Sequence, residues 1–148
     1  MITGGLMSSN DETWSTPQWL FDELDREFNF TIDVCASDSN AKCGRYYTEQ
    51  DDCLSQSWKG EICFMNPPYG RKIGDFMRKA YKESLNGSTV VCLAPARTDT
   101  KWWWDTAMNV YPDGVRFIKG RLKFGNGKGS APFPSAIIVF DGRQYETS

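Results

Sequence analysis

Apolar and polar positions alternate along the chain at two periods. In STPQWLFDELDREF, Leu20, Leu24 and Phe28 recur every four residues, one stripe of an amphipathic helix. Thr16 suits its N-cap and Pro17 its first helical position. FTIDVCA, EICFM and STVVCLAP are short unbroken apolar runs, the pattern of strands covered on both faces. They end near Asp33 to Ala36, at Asn66 and at Pro95. GDFMRKAYKESLNG predicts a second helix with Phe76, Met77, Ala80, Tyr81 and Leu85 inward and Gly87 as its stop. DTKWWWDTAMNVY predicts a third, on which Trp102, Trp103 and Trp104 cannot share one face, so at least one is exposed. GVRFIKG, RLKF and SAIIVF read as strands, the last two separated by the glycine-rich GNGKGSAPFP.

Strands alternate with helices through the middle and follow one another at the end. That order predicts an α/β fold: a mostly parallel sheet with helices on both faces, closed by a C-terminal antiparallel hairpin. Residues 1–12 read as a mobile leader and residues 13–148 as a single domain, the size expected of 148 residues. In such sheets ligands bind beyond the carboxyl ends of the strands. Asp33, Asn66 and Pro95 each stand at such an end.

Composition narrows the chemistry. There is no histidine, which removes Ser-His and Cys-His nucleophilic machinery. Cys35, Cys43, Cys53, Cys63 and Cys92 are odd in number and none lies at C-x-x-C spacing, so they read as reduced thiols and not as a metal site. No apolar run approaches the roughly 20 residues that span a bilayer. The first residues lack the regions of a signal peptide, which predicts a cytoplasmic location. Net charge is −2, but residues 11–52 hold eleven acids and three bases, whereas residues 114–148 hold two acids and six bases. Arg116, Lys119, Arg121, Lys123 and Lys128 fall in a stretch free of acids. Such a strip is either a solvated face or one that meets phosphates.

The segment FMNPPYG, residues 64–70, carries the sharpest signal. Pro67 and Pro68 remove two backbone donors and fix two φ angles. The side-chain oxygen of Asn66 and the carbonyl of Pro67 remain as rigid acceptors, with the ring of Tyr69 beside them. Two acceptors next to an aromatic plate suit a flat ring bearing an exocyclic NH2. The lone pair of such an amine is delocalised into its ring. Holding its two protons on fixed acceptors draws the nitrogen toward tetrahedral geometry and frees that pair, a preorganised electrostatic effect that needs no histidine base.

Asn66-Pro67-Pro68-Tyr69 matches the (D/N)PP(Y/F) motif of S-adenosylmethionine-dependent amino-methyltransferases. With WSTP from Trp14, DVCA from Asp33, the D-x-L of Asp52 and Leu54, APAR from Ala94 and GRLKF from Gly120, the chain resembles the phage DNA N-6-adenine-methyltransferase family from about Trp14 to Phe140. The resemblance implies a Rossmann-like methyltransferase domain and S-adenosylmethionine as cofactor, with DNA as partner. No metal and no membrane is involved, and the cytoplasm is that of the bacterial host if the gene is a phage's. It implies that Asn66 and the Pro67 carbonyl hold the target amine, that Pro68 stiffens the turn, and that Tyr69 stacks on the target ring. Thr16, Pro17, Asp33, Ala36 and Asp52 would meet the cofactor, Asp52 being favoured over Asp51. Arg71, Lys72, Arg97 and Lys123 would contact DNA, and Arg121 and Phe124 would help clamp the flipped base. An exposed tryptophan among residues 102–104 could stack on nucleic acid. Two features depart from the family: CASDSN replaces the glycine-rich G-x-G after the first strand, and no long insertion offers a target-recognition domain. RNA or protein amino-methylation and a non-catalytic binding module of the same fold are the alternatives.

Overall fold

The computed structural model describes residues 14–125 and 129–145. The leader over residues 1–12 and Lys128 of the basic strip lie outside them. Helix α1 spans Gln18–Phe28, strand β1 Ile32–Asp33, β2 Ile62–Met65, helix α2 Ile73–Leu85, β3 Thr89–Pro95, helix α3 Lys101–Asp105, β4 Val115–Phe117 and β5 Ser135–Asp141. The strands form one five-stranded sheet in the order β1-β2-β3-β5-β4. β1, β2 and β3 are mutually parallel, and β5 runs antiparallel to both β3 and β4.

The unbroken apolar runs are explained by burial on two sides. Val90, Cys92 and Ala94 of β3 face a core shared with Met77 and Ala80 of α2 and Trp102 and Trp103 of α3. Val91 and Leu93, at the alternate positions, face a second core with Leu20, Phe21, Leu24 and Phe28 of α1. Helices therefore cover both faces of the sheet. β1 is short because its chain changes partner: Val34 N still donates to Phe64 O, but the backbone of Asp33 already exchanges hydrogen bonds with Arg45 and Tyr47.

Several expectations are corrected. Thr16 does not cap α1: Pro17 is the N-cap, in an extended conformation, and its carbonyl accepts from Leu20 and Phe21. On α2, Leu85 is 47% exposed while Glu83 is buried. Glu83 accepts from Trp58 N at 2.8 Å and pairs with Lys79 at 2.9 Å, so a satisfied charge takes the inward place of an aliphatic side chain. The third helix is a five-residue turn followed by a 3-10 turn over Ala107–Asn109: the backbone leaves the helical region at Thr106, φ −125° and ψ −72°, where Thr106 Oγ1 bonds back to Trp102 O. RLKF is not a strand of the sheet. Lys123 makes a single bridge to Ser130, and both edges of β5 are already taken by β3 and β4.

Candidate active site

The loops beyond β1 and β2 wall a cleft of about 820 Å³, within the size range of small-molecule sites. Asn66, Pro67 and Pro68 border it on one side. Thr16, Asp33, Ala36 and Asp52 border it elsewhere, with Arg71 and Lys72 at its rim. The acceptor turn and the end of the first strand thus share one cavity.

β2 delivers Asn66 to this position, and the N-terminal segment fixes its amide. Asn66 Nδ2 donates to the carbonyl of Trp14 and, at 2.9 Å, to Thr16 Oγ1. A carbonyl can only accept, so the bond to Trp14 settles which end of the carboxamide is nitrogen. The other end, Asn66 Oδ1, is buried and has no hydrogen-bond partner. Among the described residues, Ser135 Oγ is the other buried side-chain atom in that state. Leaving such an acceptor empty costs about 1–3 kcal/mol.

Asp33 lies under the loop that replaces the glycine-rich turn. Its carboxylate accepts from Cys35 N at 3.2 Å and Lys42 N at 3.0 Å, pinning both ends of CASDSNAK. Burial pushes its carboxyl above the ordinary value of 3.8, against the pull of these two amides. Ala36 is set by its own N–H, which donates to Tyr47 O. Asp51 caps its turn by accepting from Thr48 N and Thr48 Oγ1, whereas Asp52, in the left-handed region at φ 51°, borders the cleft. The thiol of Cys35 faces that of Cys53 at the cleft wall. The neighbouring sulfur and burial hold it protonated, far from the thiolate that reactivity needs.

Tyr69 stands differently from its three neighbours. It borders a second cavity of about 230 Å³ with Pro95, Arg97 and Thr100. Its hydroxyl donates to Leu93 O at 3.1 Å, and burial pushes the phenol well above its ordinary range. Phe124 is 4% exposed and meets Tyr69 and Trp14 edge-on at 6.3 and 5.3 Å. It therefore backs the tyrosine and offers no open face of its own, a correction to its expected clamping role. Arg97 is exposed and lies over the Phe133 ring at 5.8 Å, beside the smaller cavity. Pro17 is spent on starting α1 and does not border the cleft.

The basic strip divides. Arg116 pairs with Glu27 at 2.6 Å and lies over Phe28, so it docks β4 on α1. Lys119, Arg121 and Lys123 are exposed and make no ion pair among the described residues, while Leu122 and Phe124 point inward between them. Trp102 and Trp103 are buried. Trp104 is 59% exposed, with its indole N–H pinned to Thr98 O at 2.8 Å. Among the described residues no cluster of His, Cys, Asp or Glu could hold a metal, and no helix is long and apolar enough to cross a membrane.

Trp14 and the backbone amide of Lys42 carry parts of the site that sequence reasoning did not assign. The first acts through a carbonyl and the second through an N–H, groups that every such residue carries, so neither leaves a side-chain signal. The family model described as DNA N-6-adenine-methyltransferase (Dam) matches residues 5–142. The DNA N-6-adenine-methyltransferase of Haemophilus phage HP1 is 30% identical over 86% of this chain and 75% of its own. That of Escherichia phage T1 is 28% identical over 82% of this chain, which spans 61% of the T1 protein's length.

Proposed function

The chain belongs to the DNA N-6-adenine-methyltransferase family, and we propose that it transfers a methyl group to the N6 amine of adenine in DNA at the floor of the 820 Å³ cleft. S-adenosylmethionine is the proposed donor. The observation that carries this reading is Asn66 Oδ1: a buried, oriented, partnerless acceptor on a residue that lines a cavity large enough for a nucleoside cofactor. The sheet order supports a Rossmann-like methyltransferase core, with β4 and β5 as its closing antiparallel pair. Residues 13–148 are taken as one domain, working in the cytoplasm where its DNA lies.

When bound, the donor supplies an electrophilic methyl carbon on a sulfonium. The chain's own groups do the rest. Asp33, Ala36, Asp52 and Thr16 border the space that would hold it, and the two carboxylates suit its ammonium and hydroxyl groups. Asn66 Oδ1 and the Pro67 carbonyl accept hydrogen bonds from the two amine N–H groups and draw the nitrogen toward tetrahedral geometry; as its lone pair takes the methyl carbon the C–S bond breaks, S-adenosylhomocysteine departs, and the surplus amine proton passes to solvent. Pro68 keeps the turn from relaxing. Tyr69, clamped by its hydroxyl and backed by Phe124, offers the target ring a fixed plate at the neighbouring cavity. A paired base must leave its stack to arrive there, at a cost of a few kcal/mol. Arg71, Lys72, Arg97, Arg121 and Lys123 are the groups proposed to meet the phosphates around it, which makes binding salt-dependent.

The test is methyl transfer from labelled S-adenosylmethionine to DNA, RNA and protein, with the modified base identified. Label on adenine N6 of DNA is expected. Asn66→Ala should lower kcat about 10²–10³-fold, the scale for removing one preorganised transition-state contact, while stabilisation by S-adenosylhomocysteine persists. Full turnover by Asn66→Ala, or label confined to RNA or protein, overturns the reading.

A further inference from the structure

We propose that Thr16, together with the Trp14 carbonyl, is a positioning device that locks the Asn66 carboxamide in its acceptor-forward orientation, and that this device is why the position is an asparagine and not an aspartate. The inference rests on the reading of Asn66 as the amine acceptor and adds a partner to it.

A free carboxamide can rotate by half a turn and present NH2 where oxygen is wanted. An NH2 facing the target amine would be a donor against a donor. In this chain the choice is removed from 50 residues away: both bonds from Asn66 Nδ2 end on the segment ahead of α1. Thr16 is 4% exposed, and its hydroxyl is turned toward Asn66 and not toward the first amides of α1, where an N-cap would point it. Trp14 is itself wedged edge-on against Phe124 and Phe133, at 5.3 and 5.2 Å, so its carbonyl is not free to swing away. Gly125 N donates to Ser15 O at 2.8 Å and ties the same segment to the chain on its far side. The outcome is a carboxamide with its nitrogen fully engaged and its oxygen empty.

The acid cannot replace the amide here. An aspartate would offer no proton to the Trp14 carbonyl and would set two acceptors against each other, although its oxygens are the stronger acceptors for an amine. Thr16→Val keeps the shape and removes the acceptor. It should lower kcat about tenfold. Thr16→Ser should recover most of that loss. Asn66→Asp should lose about 10²-fold, as costly as deleting an oriented contact. Its residual activity relative to the wild type should rise toward acid pH, where the neutral acid can again donate to Trp14.

A readout independent of turnover is the pair of Asn66 side-chain amide protons, identified by their loss in Asn66→Ala. Thr16→Val should move one of them upfield and speed its exchange with solvent, and Thr16→Ser should not. Wild-type kcat in Thr16→Val with unmoved amide resonances, or wild-type activity in Asn66→Asp, overturns the device while leaving Asn66 as acceptor. Full activity in Asn66→Ala overturns the acceptor itself.

Discussion

β1 and β2 end side by side, and the loops that follow them both line the cleft, yet they are stiffened by different means. After β2, rigidity is covalent: Pro67 and Pro68 fix the backbone whatever the solvent does. After β1, rigidity is electrostatic: one buried carboxylate, Asp33, gathers the amides of Cys35 and Lys42. The comparison teaches a division of labour. The wall that carries the proposed amine acceptor is built from geometry that cannot titrate. The wall proposed to receive the methyl donor is built from hydrogen bonds that can loosen.

The largest effect should fall on the looser wall. Asp33→Asn keeps one acceptor and turns an NH2 toward the other amide. Losing one charge-assisted bond, about 1.5–3 kcal/mol, should weaken S-adenosylhomocysteine binding about 10- to 100-fold by calorimetry, with the turn after β2 unaffected. Replacing Pro67 and Pro68 with alanine should give the reverse signature: about 1–2 kcal/mol lost from the unfolding free energy and a matching fall in kcat, with donor affinity nearly constant. If both variants alter affinity and rate together, the two walls are not separable. The pH dependence sharpens the contrast. Burial raises Asp33 above its ordinary 3.8, so the native state keeps this proton longer than the unfolded chain does. Its contribution to stability is present below about pH 3.8 and is lost as pH rises through the raised native value. Urea midpoints should show that slope in the wild type and lack it in Asp33→Asn. Lys42→Ala should do least. The loop uses the backbone amide of Lys42, whereas its ammonium hydrogen-bonds Gln18 at the surface and acts on Asp33 only as a weak charge, so stability should stay within about 0.5 kcal/mol.

The same contrast explains what could be read from the chain beforehand. The proline turn was legible because its chemistry is local: four consecutive residues state what they can and cannot donate. Helices α1 and α2 were legible because their stripes repeat. Thr16 was misassigned as a cap because its partner lies 50 residues away and wins the hydroxyl. Glu83 for Leu85, and Arg116 on Glu27 in place of a phosphate contact, were hidden for a similar reason. Each depends on a charge found only once the chain has folded. Tyr69 sits beside the acceptors in sequence, but its hydroxyl is drawn to Leu93 O, and the ring borders the smaller cavity. The missing glycines after β1 carry no hint of the loop's support, because both oxygens of Asp33 supply it through backbone amides.

β5, the last strand in the sequence, lies inside the sheet between β3 and β4. During synthesis the earlier strands therefore leave the ribosome with the slot between β3 and β4 open, and β4 has no neighbour in the sheet until residues 135–141 emerge. A stop codon placed just before Ser135 would remove an interior strand and cut β4 off from the rest of the sheet. Nascent chains of that length should be protease-sensitive even though every cleft residue of the Asn-Pro-Pro-Tyr turn has already been made.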